Sequence, residues 1–274
     1  MTASRLSTRI SLRWPPEPPF ENTDTLVLSV GNWYVDLRVD PATQAIDWAI
    51  AGERLQVLNS NDVLFTHELD SRNTFGVADC GSFSALPNGD DLEVGVMPRV
   101  DLPGEPVREY EEVWRKLLFR RCDEGESKGL SFVLERGTDG VELAEGEERE
   151  VIRTFVGAIC GTYVVLRQTQ VLLRPAGEMK TVIKRGGEVS ARREDFVRGI
   201  GYQVKYALGP GVGSLPARSD IEGSALDGSP SPGERVVVCG EEYVIRSFED
   251  LGPDSERYLG LSTDEPIDSL ASSH

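Results

Sequence analysis

One internal histidine and two carboxylates placed ahead of glycines are the residues whose types and spacing suit proton chemistry. His67 stands beside Glu68 and Asp70, and an imidazole flanked by carboxylates can serve as a general base. The alternative is a partly exposed histidine on a strand. Asp79-Cys80-Gly81 and Glu93-Val94-Gly95 each place a carboxylate two residues before a glycine. In a strand from Leu92 to Met97, Leu92, Val94 and Val96 share one face, and Glu93 lies opposite with Gly95 and Met97. If that second face lines a barrel interior, Glu93 is a desolvated carboxyl with a raised pKa, useful as acid or base. If it faces water, Glu93 only solubilises. Asp79 has the same two readings, with a turn role (side chain to backbone) as its alternative. Asp79, Glu93 and His67 are therefore the candidate catalytic residues.

Trp33, Trp48, Tyr110 and Trp114, with Tyr163 and Tyr243, form an aromatic set. Rings lining a β-barrel cavity bind apolar or aromatic ligands, with a few polar groups fixing orientation. The first four are the candidate ligand-binding residues, although any single one could simply fill a core. Other chemistries lack their parts. The second histidine is His274, so neither a His-rich metal site nor a relay through several histidines is available. Gly209-Pro210-Gly211-Val212-Gly213 has no following Lys-Ser/Thr and fails the requirement of a phosphate loop. Cys80, Cys122, Cys160 and Cys239 contain no C-x-x-C pair, which argues against zinc and redox motifs. No metal and no cofactor are expected.

The elements that must hold these groups read as strands. Trp33, Val35, Leu37 and Val39 alternate with Tyr34, Asp36 and Arg38, the period-2 signature of a strand with one buried face. Ile46–Ile50, Phe65–Asp70, Asn73–Val77, Leu92–Met97, Leu130–Glu135, Val151–Leu173, Glu178–Lys184, Ile200–Leu208 and a hairpin over Val236–Ile245 continue the series. Glu111–Phe119 suits a strand or a short helix, and Arg192–Arg198 a turn or two of helix. Met1–Thr23, with four prolines, reads as an irregular arm. Cys122–Lys128 reads as a seam, Gly209–Gly233 as a long mobile loop, and 250–274 as an acidic, Ser-rich tail.

A net charge of −17, from 46 acidic against 29 basic residues, repels phosphate backbones and anionic lipid. Nucleic-acid and membrane-surface partners are disfavoured. The longest uncharged apolar run has 13 residues, from Thr154 to Leu166, short of a membrane span of about 20. Met1–Pro19 lacks the apolar segment of a secretory signal. A cytoplasmic protein with free thiols is expected.

The chain also echoes itself. Gly31-Asn32-Trp33-Tyr34-Val35-Asp36-Leu37-Arg38 returns as Gly161-Thr162-Tyr163-Val164-Val165-Leu166-Arg167, and Glu111-Glu112-Val113-Trp114-Arg115 as Glu241-Glu242-Tyr243-Val244-Ile245-Arg246. Gly31 and Gly161 stand 130 positions apart, as do Glu111 and Glu241. Two echoes at one offset imply two similar β-rich halves.

Gly31-Asn32-Trp33 resembles the Gly-x-Trp of lipocalin-type (calycin) barrels. Over Leu26–Glu249 the chain is similar to the fungal Hri-type family, small cytoplasmic proteins named for association with a casein-kinase-1-type kinase. The resembling parts, in matching order, are Tyr34-Val35-Asp36-Leu37-Arg38, Asp47-Trp48-Ala49-Ile50-Ala51-Gly52, Asp79-Cys80-Gly81, Glu93-Val94-Gly95, Tyr110-Glu111-Glu112-Val113-Trp114-Arg115 and Tyr243-Val244-Ile245. The resemblance implies an all-β protein of two tandem calycin-like antiparallel β-barrels, over 24–122 and 129–249, and no catalytic set. Three functions stay open. The chain is a non-catalytic binder of a small apolar ligand or a protein partner; or an isomerase or cyclase of fungal secondary metabolism using carboxylate acid–base chemistry; or an adaptor of a kinase of that type.

Overall fold

In the computed structural model, which describes residues 4–77, 79–120, 129–138, 140–221, 226 and 230–251, the chain is all-β. The first nine strands are β1 (Arg5–Arg13), β2 (Asp24–Val30), β3 (Trp33–Asp40), β4 (Ala45–Gln56), β5 (Asp62–Phe65), β6 (Leu69–Asp70), β7 (Asp79–Ala85), β8 (Asp91–Pro98) and β9 (Val107–Leu117). Eight of them close an antiparallel barrel in the order β3-β2-β1-β9-β8-β7-β5-β4, shut by pairing of β3 with β4; β6 adds to β4. Seven more strands complete the chain: β10 (Leu130–Arg136), β11 (Glu148–Ile159), β12 (Thr162–Leu173), β13 (Val182–Val197), β14 (Gly201–Leu208), β15 (Arg235–Val238) and β16 (Glu241–Asp250). They form one sheet in the order β14-β13-β12-β11-β10-β16-β15.

Among the described residues that second sheet does not close, so only the first of the two expected barrels is found there. The run β4-β3-β2-β1-β9-β8 of the barrel has its counterpart, place for place, in β13-β12-β11-β10-β16-β15. Equivalent two-residue turns, Gly31-Asn32 and Cys160-Gly161, lead into β3 and β12. Among the described residues no strand stands between β14 and β15. In that stretch the chain makes two 3₁₀ turns, Val212–Ser214 and Arg218–Asp220, and buries Leu215, Ile221 and Leu226 against the sheet. The expected mobile loop is in these residues a packed cover.

Other expectations need correction as well. Arg5–Arg13 is a barrel strand paired with β2 and β9, so the irregular arm shrinks to residues 14–23. Arg5, Ser7 and Arg9 face the interior while Leu6 faces out, and this polar-in pattern hid the strand. Glu111–Phe119 is strand rather than helix through Leu117, Arg192–Val197 is the end of β13, and Asn73–Val77 is not a strand. The seam Cys122–Lys128 and the tail after Leu251 lie outside the described residues.

The main apolar core lies between the barrel and the second sheet. Leu26, Leu28, Val35, Leu37, Val39, Ala49 and Ala51 on the barrel's outer surface meet Val133, Phe155, Ile159, Val164, Leu166 and Ala191. β3 is consequently buried on both faces: its valines and leucine look outward into this layer, and Tyr34, Asp36 and Arg38 look into the barrel. Among the described residues no helix is long and apolar enough to cross a membrane, and no group of metal-ligating side chains gathers.

Candidate functional site

The barrel interior holds a cavity of about 70 Å³. Its polar lining results from strand alternation, since residues two apart share the inner face. β3 contributes Asp36 and Arg38, β8 contributes Glu93, and β9 contributes Tyr110, Glu112 and Trp114. Trp48 comes from β4 and Asp79 from β7. The lining is amphipathic, with charged side chains beside the aromatic rings.

Glu93 is 6% exposed and accepts hydrogen bonds from Tyr110 Oη and Trp114 Nε1, each at 2.8 Å. Glycines make room for it. A Cβ on Gly81 would stand 2.1 Å from Glu93 Oε1, and one on Gly95 would stand 2.8 Å from the Tyr110 ring. Gly81 and Gly95 are cross-strand partners on β7 and β8. In both carboxylate–glycine spacings the two residues point inward, and each glycine is bare for a neighbour on the next strand: Gly81 so that Glu93 fits, Gly95 so that the Tyr110 ring fits. Burial, reinforced by the Glu112 carboxylate and opposed by the Tyr110 bond, pushes Glu93 up to about 8. Glu93 is thus mostly a neutral acid at pH 7.

Beside it runs an ion-pair network. Arg38 bonds Asp36 Oδ2 through Nε at 3.0 Å and Nη2 at 2.8 Å, and reaches Glu112 at 3.3 Å. Arg9 holds the same Glu112 oxygen at 2.6 Å and Glu21 at 2.7 Å. The Arg38 guanidinium also lies 4.8 Å from the Trp48 ring centre and 5.5 Å from that of Trp114, within cation–π range. Asp36 Oδ1 is buried and has no hydrogen-bond partner among the described residues. Burial raises the Asp36 pKa, and Arg38 opposes the rise.

His67 is placed differently from the sequence reading. It is buried between two carboxylates, Nδ1 at 3.0 Å from Asp70 Oδ2 and Nε2 at 3.0 Å from Asp79 Oδ2. Burial alone would lower its pKa, but the bonds to Asp70 and Asp79 outweigh that and bring it up to about 9. At neutral pH it is an imidazolium donating from both nitrogens, so it is not a free base. Trp48 Nε1 donates to the other Asp70 oxygen at 2.9 Å, tying this group to the cavity wall.

Of the three proton-chemistry candidates, Asp79 and Glu93 line the cavity and His67 stands behind Asp79. Trp48, Tyr110 and Trp114 line it too. Trp33 does not. It stacks on Phe155 at 6.0 Å between barrel and second sheet, with Arg246 5.3 Å from its ring. Sequence reasoning missed Arg5, Asp36, Arg38, Arg54 and Glu112. The period-2 alternation of β3 held the signal for Asp36 and Arg38, but their face was assigned to solvent.

A family model described as Protein HRI1 matches residues 5–195. The crystal structure of an uncharacterized protein from Saccharomyces cerevisiae is similar at a TM-score of 0.61 and 14% identity, covering 90% of this chain and 100% of that one. At such identity the likeness shows the fold alone. No curated protein matches this chain.

Proposed function

Given that the chain belongs to the Protein HRI1 family, we propose that it is a binding protein whose barrel, read as calycin-like, holds a small amphipathic ligand. The observation that carries this is the amphipathic cavity itself. A small barrel needs only side chains to fill it, yet this interior keeps about 70 Å³ between two indoles, two phenols and charged groups. It also keeps a buried carboxylate oxygen on Asp36 without a partner among the described residues, which an apolar filling would not need. Binding is favoured over isomerase or cyclase chemistry because His67 is committed to Asp70 and Asp79.

Native mass spectrometry of the protein purified from its own host tests the reading. A small added mass, lost on denaturation, is expected. Bare protein, together with unchanged tryptophan emission when a small-molecule extract of the host is added, would overturn it.

A further inference from the structure

At one end of the cavity two guanidiniums face the same space, and only one has a counter-ion. Arg5 starts β1 and donates to Asp91 at 3.0 Å and to Ser7 at 3.1 Å. Arg54, near the end of β4, lies 5.6 Å from the Phe83 ring centre, and among the described residues its side chain has neither a hydrogen bond nor an ion pair. Both residues line the cavity. Burial lowers the Arg54 pKa, and the charge of Arg5 lowers it further. The carboxylates acting on Arg54 are Glu93 and Asp91. The first holds its proton up to about 8, and the second is already shared by Arg5 and Lys116. A half-buried cation is thus left unbalanced at a cavity, in a chain whose net charge is −17. Next to it stand aromatic walls: Phe65 lies 5.5 Å from Tyr34, edge to face, and 6.3 Å from Phe83.

We propose that the ligand of the barrel is a small organic carboxylate, its anionic end held by Arg54 beside Arg5 and its apolar body set against Phe65 and Phe83. The planar guanidinium fork matches a carboxylate in two parallel hydrogen bonds. An anion there also relieves the mutual repulsion of the two arginines. A cationic ligand would add to that repulsion, and a wholly apolar one would leave Arg54 desolvated and unpaired. This inference rests on the barrel-binding reading and sharpens it.

The test is isothermal titration of the full chain with butyrate, butyramide and butylamine, molecules of one skeleton and three charges. Butyrate is expected to bind at least about tenfold tighter than butyramide, and butylamine more weakly still. Arg54→Met should cut the preference for acid over amide by at least about tenfold, and Arg54→Lys should restore part of it. Arg54 is partly exposed, so a matching thermal midpoint for R54M confirms that the variant is folded. Amide or amine binding as tight as the acid, or R54M binding butyrate like the parent, overturns the carboxylate assignment and leaves the barrel-binding reading intact. If none of the three binds, the carboxylate assignment falls; if host-purified protein is also bare, the binding reading falls with it.

Discussion

Glu93 and His67 are titratable groups whose protons are fixed by opposite means, and each leaves its own mark on stability. Glu93 has been moved by burial, so the folded chain keeps its proton up to about 8, whereas the unfolded chain releases it near 4.5, the ordinary value for a glutamate. Between these values the folded state binds more protons, and stability falls as pH rises, with a slope approaching ~1.4 kcal/mol per pH unit. The contribution is fully present below 4.5. Glu93→Gln removes the titration while keeping an acceptor for one of the two bonds. Urea unfolding at pH 5.5 and pH 8 is expected to show a smaller loss for E93Q than for the parent. Parallel losses would show that Glu93 is not protonated in the fold. His67 is charged because Asp70 and Asp79 outweigh its burial, raising it from 6.5 to about 9. Its contribution is complete below 6.5 and is lost as pH rises through 9. His67→Ala leaves the fully buried Asp70 facing Asp79 without the cation between them. A cost of roughly 3 kcal/mol is expected at pH 6, shrinking at pH 9.5, as read by the urea midpoint. An H67A penalty equal at both pH values would mean that the imidazole is neutral throughout.

The pairing of β7 with β8 sets the shape of the cavity wall, because Gly81 and Gly95 oppose each other there. Gly81→Ala puts a methyl against the whole carboxyl end of Glu93, 2.1 Å from Oε1 and 2.7 Å from Cδ. The side chain must leave Tyr110 and Trp114, and the expected cost is about 2 kcal/mol. In an E93A background the obstruction is gone, so G81A should cost less than half as much. A double-mutant cycle by chemical denaturation measures the coupling, and equal penalties in both backgrounds would refute the steric account. Strand existence was legible in the alternation of Trp33–Val39 and Leu92–Met97, and the carboxylate–glycine spacing marked two inward-facing pairs. What alternation could not reveal is which side of β3 is the inside. Val35 and Leu37 are buried by the second sheet, and Asp36 and Arg38 by the barrel; a period of two separates faces but does not say what covers each. Trp33 went to the wrong site for the same reason. β1 was hidden because its inner residues Arg5, Ser7 and Arg9 are polar, and Arg5 and Arg9 pair with Asp91, Glu112 and Glu21, the first two far away in the chain.

At the scale of the molecule, the similar strand orders and the apolar layer shared between the halves lead us to expect that the two unfold as one unit. β3 and β12, which hold the same place in the two strand orders, put Leu37 and Leu166 in that one layer, 129 positions apart where the sequence echo has 130. A repeat in sequence does not guarantee repeated closure, since closing also needs a strand between β14 and β15, and the described residues hold none there. Polar ties cross the same boundary. Arg153 on β11 bonds the Glu68 carbonyl at 2.9 Å, and Gln168 on β12 donates to the Asp70 carbonyl at 2.8 Å. Asp70 is the residue that holds His67, so the second sheet buttresses the barrel wall beside the cavity. The four tryptophans, Trp14, Trp33, Trp48 and Trp114, all belong to the first half, which gives a direct test of coupling. Tryptophan emission reports the barrel, and far-ultraviolet circular dichroism reports both sheets. Leu166→Ala, in the second sheet and fully buried, removes side-chain atoms from the shared layer at an expected cost of about 3 kcal/mol. If barrel and sheet form one cooperative unit, the emission and dichroism midpoints fall together and by equal amounts. A dichroism transition that moves while the tryptophan transition stays would mean that the barrel stands alone. The carbonyl bonds from Arg153 and Gln168 would then lend its cavity no support.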